Sequence, residues 1–521
     1  MPAIPAVPAG LPEVEVGGAA VHQLVLRHAA RLGGKPALLD AATGDVITYA
    51  ALARGVGRVA AALAARGFGP GDVLAVHSTN RPDYALAVYG AMAAGGTVTG
   101  ADPSLTAAEL AAQLADAGAR LLVTEAPLLE RAAEAARRAG VEEVLVFGGT
   151  FGALVEHDHP PATAVADPDA DLDRAVAALP YSSGTSGLPK GVELTHAAVV
   201  TNVRQALAVL DFTEDDVVLA VAPFCHVIGL TLLMTGGLAA GATVVTLPRF
   251  DLEAFLRAIQ DRRVTLTIVV PPVVRALAGH PLVDRFNLSS LRNVGVGAAP
   301  LDAATEQRCA QRLGCGVSQG LGMTETAALI AVGDPRAPRR GSVGRPLPGT
   351  EIRVVDPGNG ADLGAGRAGE LWVRGPQLMR GYRGRPQETA ATLDADGWLH
   401  TGDLCHVDDD GNVYVVDRLK ELIKYRGHQV PPVELEQLLC THPAVADAVV
   451  VPRPDPDAGQ VPVAHVVLRS PVSAEELLRY VAERVAPFKR LAAVAFIPAV
   501  PRSPTGKPLR RLLAAAERAP R

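Results

Sequence analysis

Cysteine is scarce in this 521-residue chain. The five residues (Cys225, Cys309, Cys315, Cys405 and Cys440) form no C-x-x-C pair and lie at no metal-ligand spacing. An odd, sparse set points to free thiols in a reducing compartment and excludes a disulfide framework. Basic runs interleaved with aromatics are absent, and at a net charge of −6 nothing draws the chain toward nucleic acid or an anionic membrane. The opening MPAIPAVPAGLPEVEVGG lacks a positive n-region and an uninterrupted apolar core, so no signal peptide is expected. High Ala and Arg content makes a bacterial cytoplasm the expected location. No period of about 20–50 residues repeats, which excludes a solenoid. One charge-free stretch, VIGLTLLMTGGLAAGATVVTL (227–247), is long enough to span a bilayer. Glycines interrupt it and it ends in a β-branched run, so a buried helix, a glycine turn and a buried strand are expected instead.

What is present is an α/β pattern in a chain too long for one core. From about residue 20 to 250, Ala/Leu-rich helical runs such as ALARGVGRVAAALAARG alternate with short apolar strands such as DVLAVHS, ARLLVTEA and EEVLVFG. That alternation predicts layered, mostly parallel sheets. A second set, including VTLTIVVPP and SSLRNVGVGAAPL, runs to about residue 330. Between about 340 and 417 the texture becomes a β-rich subdomain with Gly-Pro punctuation, and from 421 onward a small α+β domain is expected.

The segment YSSGTSGLPKGVELTH (181–196) is not a Walker A loop, because the G-x-x-x-x-G-K-[ST] spacing fails. It shares that loop's physics: successive small residues present backbone N–H groups as a nest for phosphate oxygens. Ser182, Ser183, Thr185 and Ser186 add hydroxyl donors and Lys190 adds charge. A Gly/Ser linker is the plain alternative, but it gives no reason for Pro189-Lys190-Gly191 or the flanking VELTH.

Further motifs follow in order: PFCHVIGL (223–230), GAAPL (297–301), QGLGMTET (319–326), GELWVRGP (369–376), GWLHTGDL (397–404), DRLKELIKYRGHQV (417–430) and PRSPTGKPLR (501–510). The series resembles the adenylate-forming superfamily of acyl-CoA synthetases, peptide-synthetase adenylation domains and firefly-type luciferases. LKELIKYRGHQVPPVELE and VAPFKR look closest to its 4-coumarate–CoA ligase branch. The resemblance implies a large N-terminal domain (1–417), a hinge at 418–420 around Lys420, and a mobile C-terminal domain (421–521). It also implies two half-reactions: a carboxylate attacks ATP to give acyl-AMP, and the thiol of coenzyme A then displaces AMP.

Residue roles follow from the same resemblance. The loop Ser182, Ser183, Gly184, Thr185, Ser186, Gly187 and Lys190 would cradle phosphates. Thr324 would touch the α-phosphate, and Glu325 with Thr185 would hold Mg²⁺, a hard cation suited to oxygen ligands. Gly297, Ala298, Ala299 and Pro300 with Gln319, Gly320, Leu321, Gly322 and Met323 would form the adenine slot. Asp403 and Arg418 would contact ribose. His226 would gate an acyl pocket lined by Ile228, Leu232, Gly297 and Leu321. Lys507 would act in adenylation, Lys424 and Gln429 in thioester formation, and Arg249, Arg426 and Gly427 would bind CoA.

This chain departs from the family pattern at Leu321, where an aromatic is usual, and at Ile228 and Leu232, where polar residues occur. Those departures predict an apolar aryl acid such as cinnamate, with a medium-chain fatty acid as the alternative. A carrier-protein pantetheine arm is the alternative acceptor. A nucleotide-binding protein without catalysis is disfavoured, because Lys190, His226, Glu325, Asp403, Arg418 and Lys507 are all present.

Overall fold

The computed structural model describes residues 13–156, 171–182, 189–426, 428–503 and 506–518. Among these, two large sheets carry the first two-thirds of the chain. In one, the strands run Arg345–Pro346, Ala331–Val332, Gly316–Leu321, Asn293–Val296, Leu266–Val269, Val217–Ala220, Thr243–Thr246, Pro36–Asp40 and Val46–Thr48. Its six central strands are parallel, and antiparallel strands close both edges. The other has a parallel centre built from Val176–Ala178, Thr97–Ala101, Val73–His77, Ala119–Thr124 and Glu143–Val146. Lys190–Thr195 joins its edge in the antiparallel sense and carries Gly381–Tyr382 beyond it.

The largest core cluster draws on both sheets and on the helices Tyr49–Ala65, Pro82–Ala93 and His196–Leu210. Apart from Asp83, every residue of Pro82–Ala93 is buried, as expected for a helix that is apolar all round. The stretch 227–247 is a helix, Ile228–Gly236 in π-helical form and Gly237–Ala240 in α form, then a left-handed Gly241 and the strand Thr243–Thr246. Among the described residues, no helix is long and apolar enough to cross a membrane.

A four-stranded antiparallel sheet follows, ordered Glu351–Val355, Gly369–Arg374, Leu399–Val407 and Val413–Arg418. The last part of the chain builds its own sheet from Ile423–Tyr425, His428–Val430, Val445–Asp455, Gly459–Leu468 and Ala493–Phe496. Helices Pro432–Cys440 and Ala474–Ala482 close a separate core over it. This unit meets the part of the chain that builds the first large sheet through a charge contact and through Gly506 packed near Val270. Arg275, on the helix Pro271–Gly279, lies 3.3 Å from Asp447, and Arg502 lies 2.6 Å from the same carboxylate.

Candidate active site

The serine-rich loop is entered and left by a short antiparallel pair, with Tyr181 opposite Gly191 and Ser182 opposite Lys190. Ser183, Gly184, Thr185, Ser186 and Gly187 lie outside the described residues. The Ser182 hydroxyl is buried with no hydrogen-bond partner among the described residues. Lys190 is buried, forms an ion pair with Glu388, and sits 4.8 Å from the centre of the Tyr382 ring. The Tyr382 hydroxyl in turn donates to Glu325 Oε1 at 2.8 Å. Burial first and the Glu325 carboxylate second hold that phenol well above its ordinary pKa, so it stays a donor.

Glu325 stands on the tight turn Thr324–Thr326, directly after the strand Gly316–Leu321. Its backbone carbonyl accepts from Met379 N at 2.8 Å, which locks the turn to the segment leading to Tyr382. A Cβ at Gly322 would meet Ala328 O at 1.6 Å, so only glycine lets this turn close. Gln319 is buried and committed: its amide donates to Leu301 O (3.0 Å) and Glu306 (2.8 Å), and its carbonyl accepts from Leu301 N (2.9 Å). Its side chain therefore binds the Gly297–Pro300 loop to the neighbouring strand and is not free to face a ligand. Within that loop Ala298 is left-handed, with φ 70°.

Across the cleft, Asp403 and Arg418 are register partners on adjacent antiparallel strands. Arg418 Nε lies 2.8 Å from Asp403 Oδ1. Asp403 Oδ2 is buried with no hydrogen-bond partner among the described residues, a costly state for a polar atom and one that a sugar hydroxyl donor relieves. Burial raises the Asp403 pKa, against the lowering influence of Arg418 and Lys507. Lys507 is half-buried beside this pair. Its pKa is lowered, first by burial and then by Arg418, while Asp403, Glu325 and Glu421 oppose the shift. An added anion such as a phosphate would favour the ammonium there.

The Lys507 loop is anchored from behind. Arg502 donates to Gly506 O at 2.8 Å and pairs with Asp447, which also faces Arg275. Gly506 has φ 78°, and a Cβ there would lie 2.9 Å from Val270 Cγ2. Backbone conformation and the close approach to Val270 both demand glycine.

Lys424 lies elsewhere. It is exposed on the strand Ile423–Tyr425, directly opposite Gln429 on His428–Val430. Arg426 is exposed in the connecting turn with φ 46°, and Gly427 lies outside the described residues. Arg249 is exposed after the strand Thr243–Thr246. Lys420 feels the charges of Lys190 and Arg418, which with burial lower its pKa.

On the acyl side, Asn80 clamps the segment before His226, donating to Ala220 O and Ala222 O and accepting from Phe224 N at 2.8 Å. His226 Nε2 lies 3.6 Å from Asp102 Oδ2. Ile228 is half-buried, and its Cδ1 is 3.4 Å from where a Gly297 Cβ would stand. Leu232 is buried in the main core, and Leu321 is half-buried at its strand's end. The helix bearing Ile228 and Leu232 also holds Thr231, whose buried hydroxyl has no hydrogen-bond partner among the described residues. The motif reading missed Tyr382, Glu388 and Asp102. The first two stand in GYRGRPQE, a few residues beyond GELWVRGP, and Asp102 stands in ADPSLT, which reads as an ordinary turn.

This donor set fits a nucleotide and a divalent ion: a partnerless buried carboxylate oxygen at Asp403, a carboxylate at Glu325, and the cations Lys190, Arg418 and Lys507 around them. The family profile described as "AMP-binding enzyme" matches residues 25–383, and "AMP-binding enzyme C-terminal domain" matches 434–507. The chain is 40% identical over 519 residues to "4-coumarate--CoA ligase 3" of Oryza sativa subsp. japonica, covering 97% of this chain and 94% of that protein. It is 38% identical to "4-coumarate--CoA ligase 1" of Petroselinum crispum, covering 95% and 93%. Among solved structures, ATP-bound MatB from Rhodopseudomonas palustris superposes with a TM-score of 0.87 at 29% identity, covering 96% of this chain and 99% of that one. The chain belongs to the AMP-binding, adenylate-forming enzyme family.

Proposed function

We propose that this protein is an ATP-dependent carboxylic acid–CoA ligase acting on an apolar aryl acid of the cinnamate type. In the first half-reaction the substrate carboxylate attacks the ATP α-phosphorus, forming acyl-AMP and releasing pyrophosphate. In the second, the CoA thiol attacks the acyl carbonyl, forming the thioester and releasing AMP. Glu325 would hold a Mg²⁺, which when bound would supply charge neutralisation for the polyphosphate.

The observation that carries the reading is the position of Lys507, half-buried beside Asp403, Arg418 and Glu325. A cation there meets negative charge as it develops between carboxylate and α-phosphate, which is positioning and electrostatic catalysis. Asp403 accepts ribose hydroxyls, Arg418 holds Asp403 in place, and Lys190 supplies positive charge for the polyphosphate. Exposed Arg249 and Arg426 suit the phosphates of free CoA, which favours it over a carrier-protein arm.

For the acid, Ile228, Leu232 and Leu321 present apolar surface, and the relatives at 38–40% identity carry the name 4-coumarate–CoA ligase. A second reading rests on Thr231. Its partnerless hydroxyl sits on the pocket helix and would pair a ring hydroxyl, recovering about 1–3 kcal/mol. Pyrophosphate exchange with cinnamate, 4-coumarate, caffeate and octanoate, repeated in Thr231→Val, tests both. Cinnamate leading, with Thr231→Val neutral, supports the apolar pocket. 4-Coumarate leading, and losing its lead in Thr231→Val, supports the second reading. Octanoate leading overturns both, and exchange with none of the acids overturns the ligase assignment for this class.

A further inference from the structure

His226 has a neighbour that the motif pattern does not explain. Asp102 follows the strand Thr97–Ala101, and its Oδ1 is taken by Ser104, which donates from its backbone N at 2.8 Å and its hydroxyl at 2.5 Å. Those two bonds fix the carboxylate so that Oδ2 turns toward His226 Nε2 at 3.6 Å. Both of these facing atoms are buried and have no hydrogen-bond partner among the described residues. Two ionisable groups anchored separately, Asp102 by Ser104 and His226 by the Asn80 clamp, thus meet across one short gap.

We propose that Asp102 is a positioning residue that keeps His226 as an imidazolium beside the acyl pocket, a counter-ion for the incoming substrate carboxylate. This rests on the ligase reading above. An acid–CoA ligase must bring one anion up to another, and a fixed cation at the carboxylate end eases that approach. Neutral imidazole could donate a single hydrogen bond but would leave the charge unmatched. The surrounding groups are consistent with the charged pair. His226 is raised to about 10: burial works against the charge, but Cys225 and Asp102 outweigh it. Asp102 is held below the ordinary carboxylate value: burial works against this, but the facing His226 and the hydrogen bonds from Ser104 overcome it.

Among the described residues, the titratable groups facing the pair are Cys225, Tyr84 and His77. The Cys225 thiol faces His226. The Tyr84 hydroxyl faces Cys225 and Asp102, with burial holding it protonated. The His77 imidazole faces Asp102 with Arg131 beyond it, and burial lowers it to about 4, so it stays neutral. His226 is therefore the cation that Asp102 serves. A raised pKa keeps the imidazolium through neutral pH and loses it only as pH climbs through the raised value. Removing the Asp102 charge moves that loss down by about one to two units.

The test measures pyrophosphate exchange from about pH 7 to pH 9.5 in the wild type, Asp102→Asn and Ser104→Ala. In the wild type the KM for the acid should stay flat over this range. In Asp102→Asn it should climb about tenfold toward the alkaline end while the KM for ATP stays flat. Ser104→Ala should show a smaller shift in the same direction, and it carries the test if Asp102→Asn folds poorly. A direct readout is the ¹⁵N-histidine NMR titration of the resonance lost in His226→Gln, which should move to lower pH in Asp102→Asn whether or not a substrate is known. Identical titrations in wild type and Asp102→Asn would overturn the proposal, as would acid and ATP KM values rising together without pH dependence. Tight Zn²⁺ binding abolished by both Asp102→Asn and Cys225→Ser would also overturn it, because Asp102, Cys225 and His226, with donor atoms within 4.8 Å of one another, would then be metal ligands. Exchange with no acid, alongside a shifted NMR titration, would instead overturn the ligase reading and leave the pairing intact.

Discussion

Two lysine-bearing segments of the C-terminal unit behave as opposites. The Lys507 loop is drawn into the cleft: its glycine lies against Val270, Arg502 holds its carbonyl, and Asp447 ties both to Arg275. The Lys424 hairpin is exposed, with Gln429 directly opposite and Arg426 strained at φ 46° in the turn. One lysine is desolvated among carboxylates and a guanidinium; the other is solvated. If each lysine serves one half-reaction, as proposed, a single rigid arrangement cannot bring both into the cleft. On the ligase reading we propose that this arrangement serves adenylation, and that thioester formation requires the hairpin to replace the loop by rotation about the segment around Lys420.

The comparison breaks first at Lys507. Lys507→Ala should lower pyrophosphate exchange by about two to three orders of magnitude, the usual loss for a charged transition-state contact, and an unaltered exchange rate would remove the loop from the chemistry. Next comes the metal. Glu325→Gln keeps shape and the Tyr382 contact but removes a charge, so Mg²⁺ titration of exchange should shift to about tenfold to a hundredfold higher concentration. CoA dependence should hardly move, and an unchanged Mg²⁺ titration would assign the metal elsewhere.

The loop's seating is the third test. Gly506→Ala introduces a left-handed alanine, which costs about 1–2 kcal/mol, and a Cβ pressing on Val270. Exchange should fall about tenfold, with little change in the conversion of supplied acyl-AMP. The smallest effect belongs to the ionic tether: Asp447→Asn should cost exchange about twofold to fivefold, as partly exposed ion pairs usually do. A rise in salt should reproduce part of that loss in the wild type and none of it in the variant.

Periodicity and local chemistry made much of this legible in the sequence. The charge-free stretch 227–247 reads as helix, glycine turn and strand because glycines and β-branched residues punctuate it locally, and those are the elements found. Its π-helical winding was not legible, because it depends on packing. The cleft residues Lys190, Glu325, Asp403 and Arg418 stood out because each sits in a motif with a chemical purpose. Tyr382 and Glu388 did not, since what makes them matter is a hydrogen bond to Glu325 and an ion pair to Lys190 from distant parts of the chain. Gln319 shows the converse. Its motif placed it at the nucleotide, whereas its amide is spent on Leu301 and Glu306. Asp102 was hidden for the same reason: the partner that matters lies more than a hundred residues away.

The most direct measurement supplies the acyl-adenylate with CoA to the wild type, Lys507→Ala and Lys424→Ala, and follows thioester formation alongside pyrophosphate exchange. The account predicts crossed losses: Lys507→Ala fails in exchange yet converts supplied acyl-AMP, and Lys424→Ala exchanges normally yet fails to make thioester. Equal losses of both activities in both variants would contradict it, because the two lysines would then act in one arrangement and not in turn.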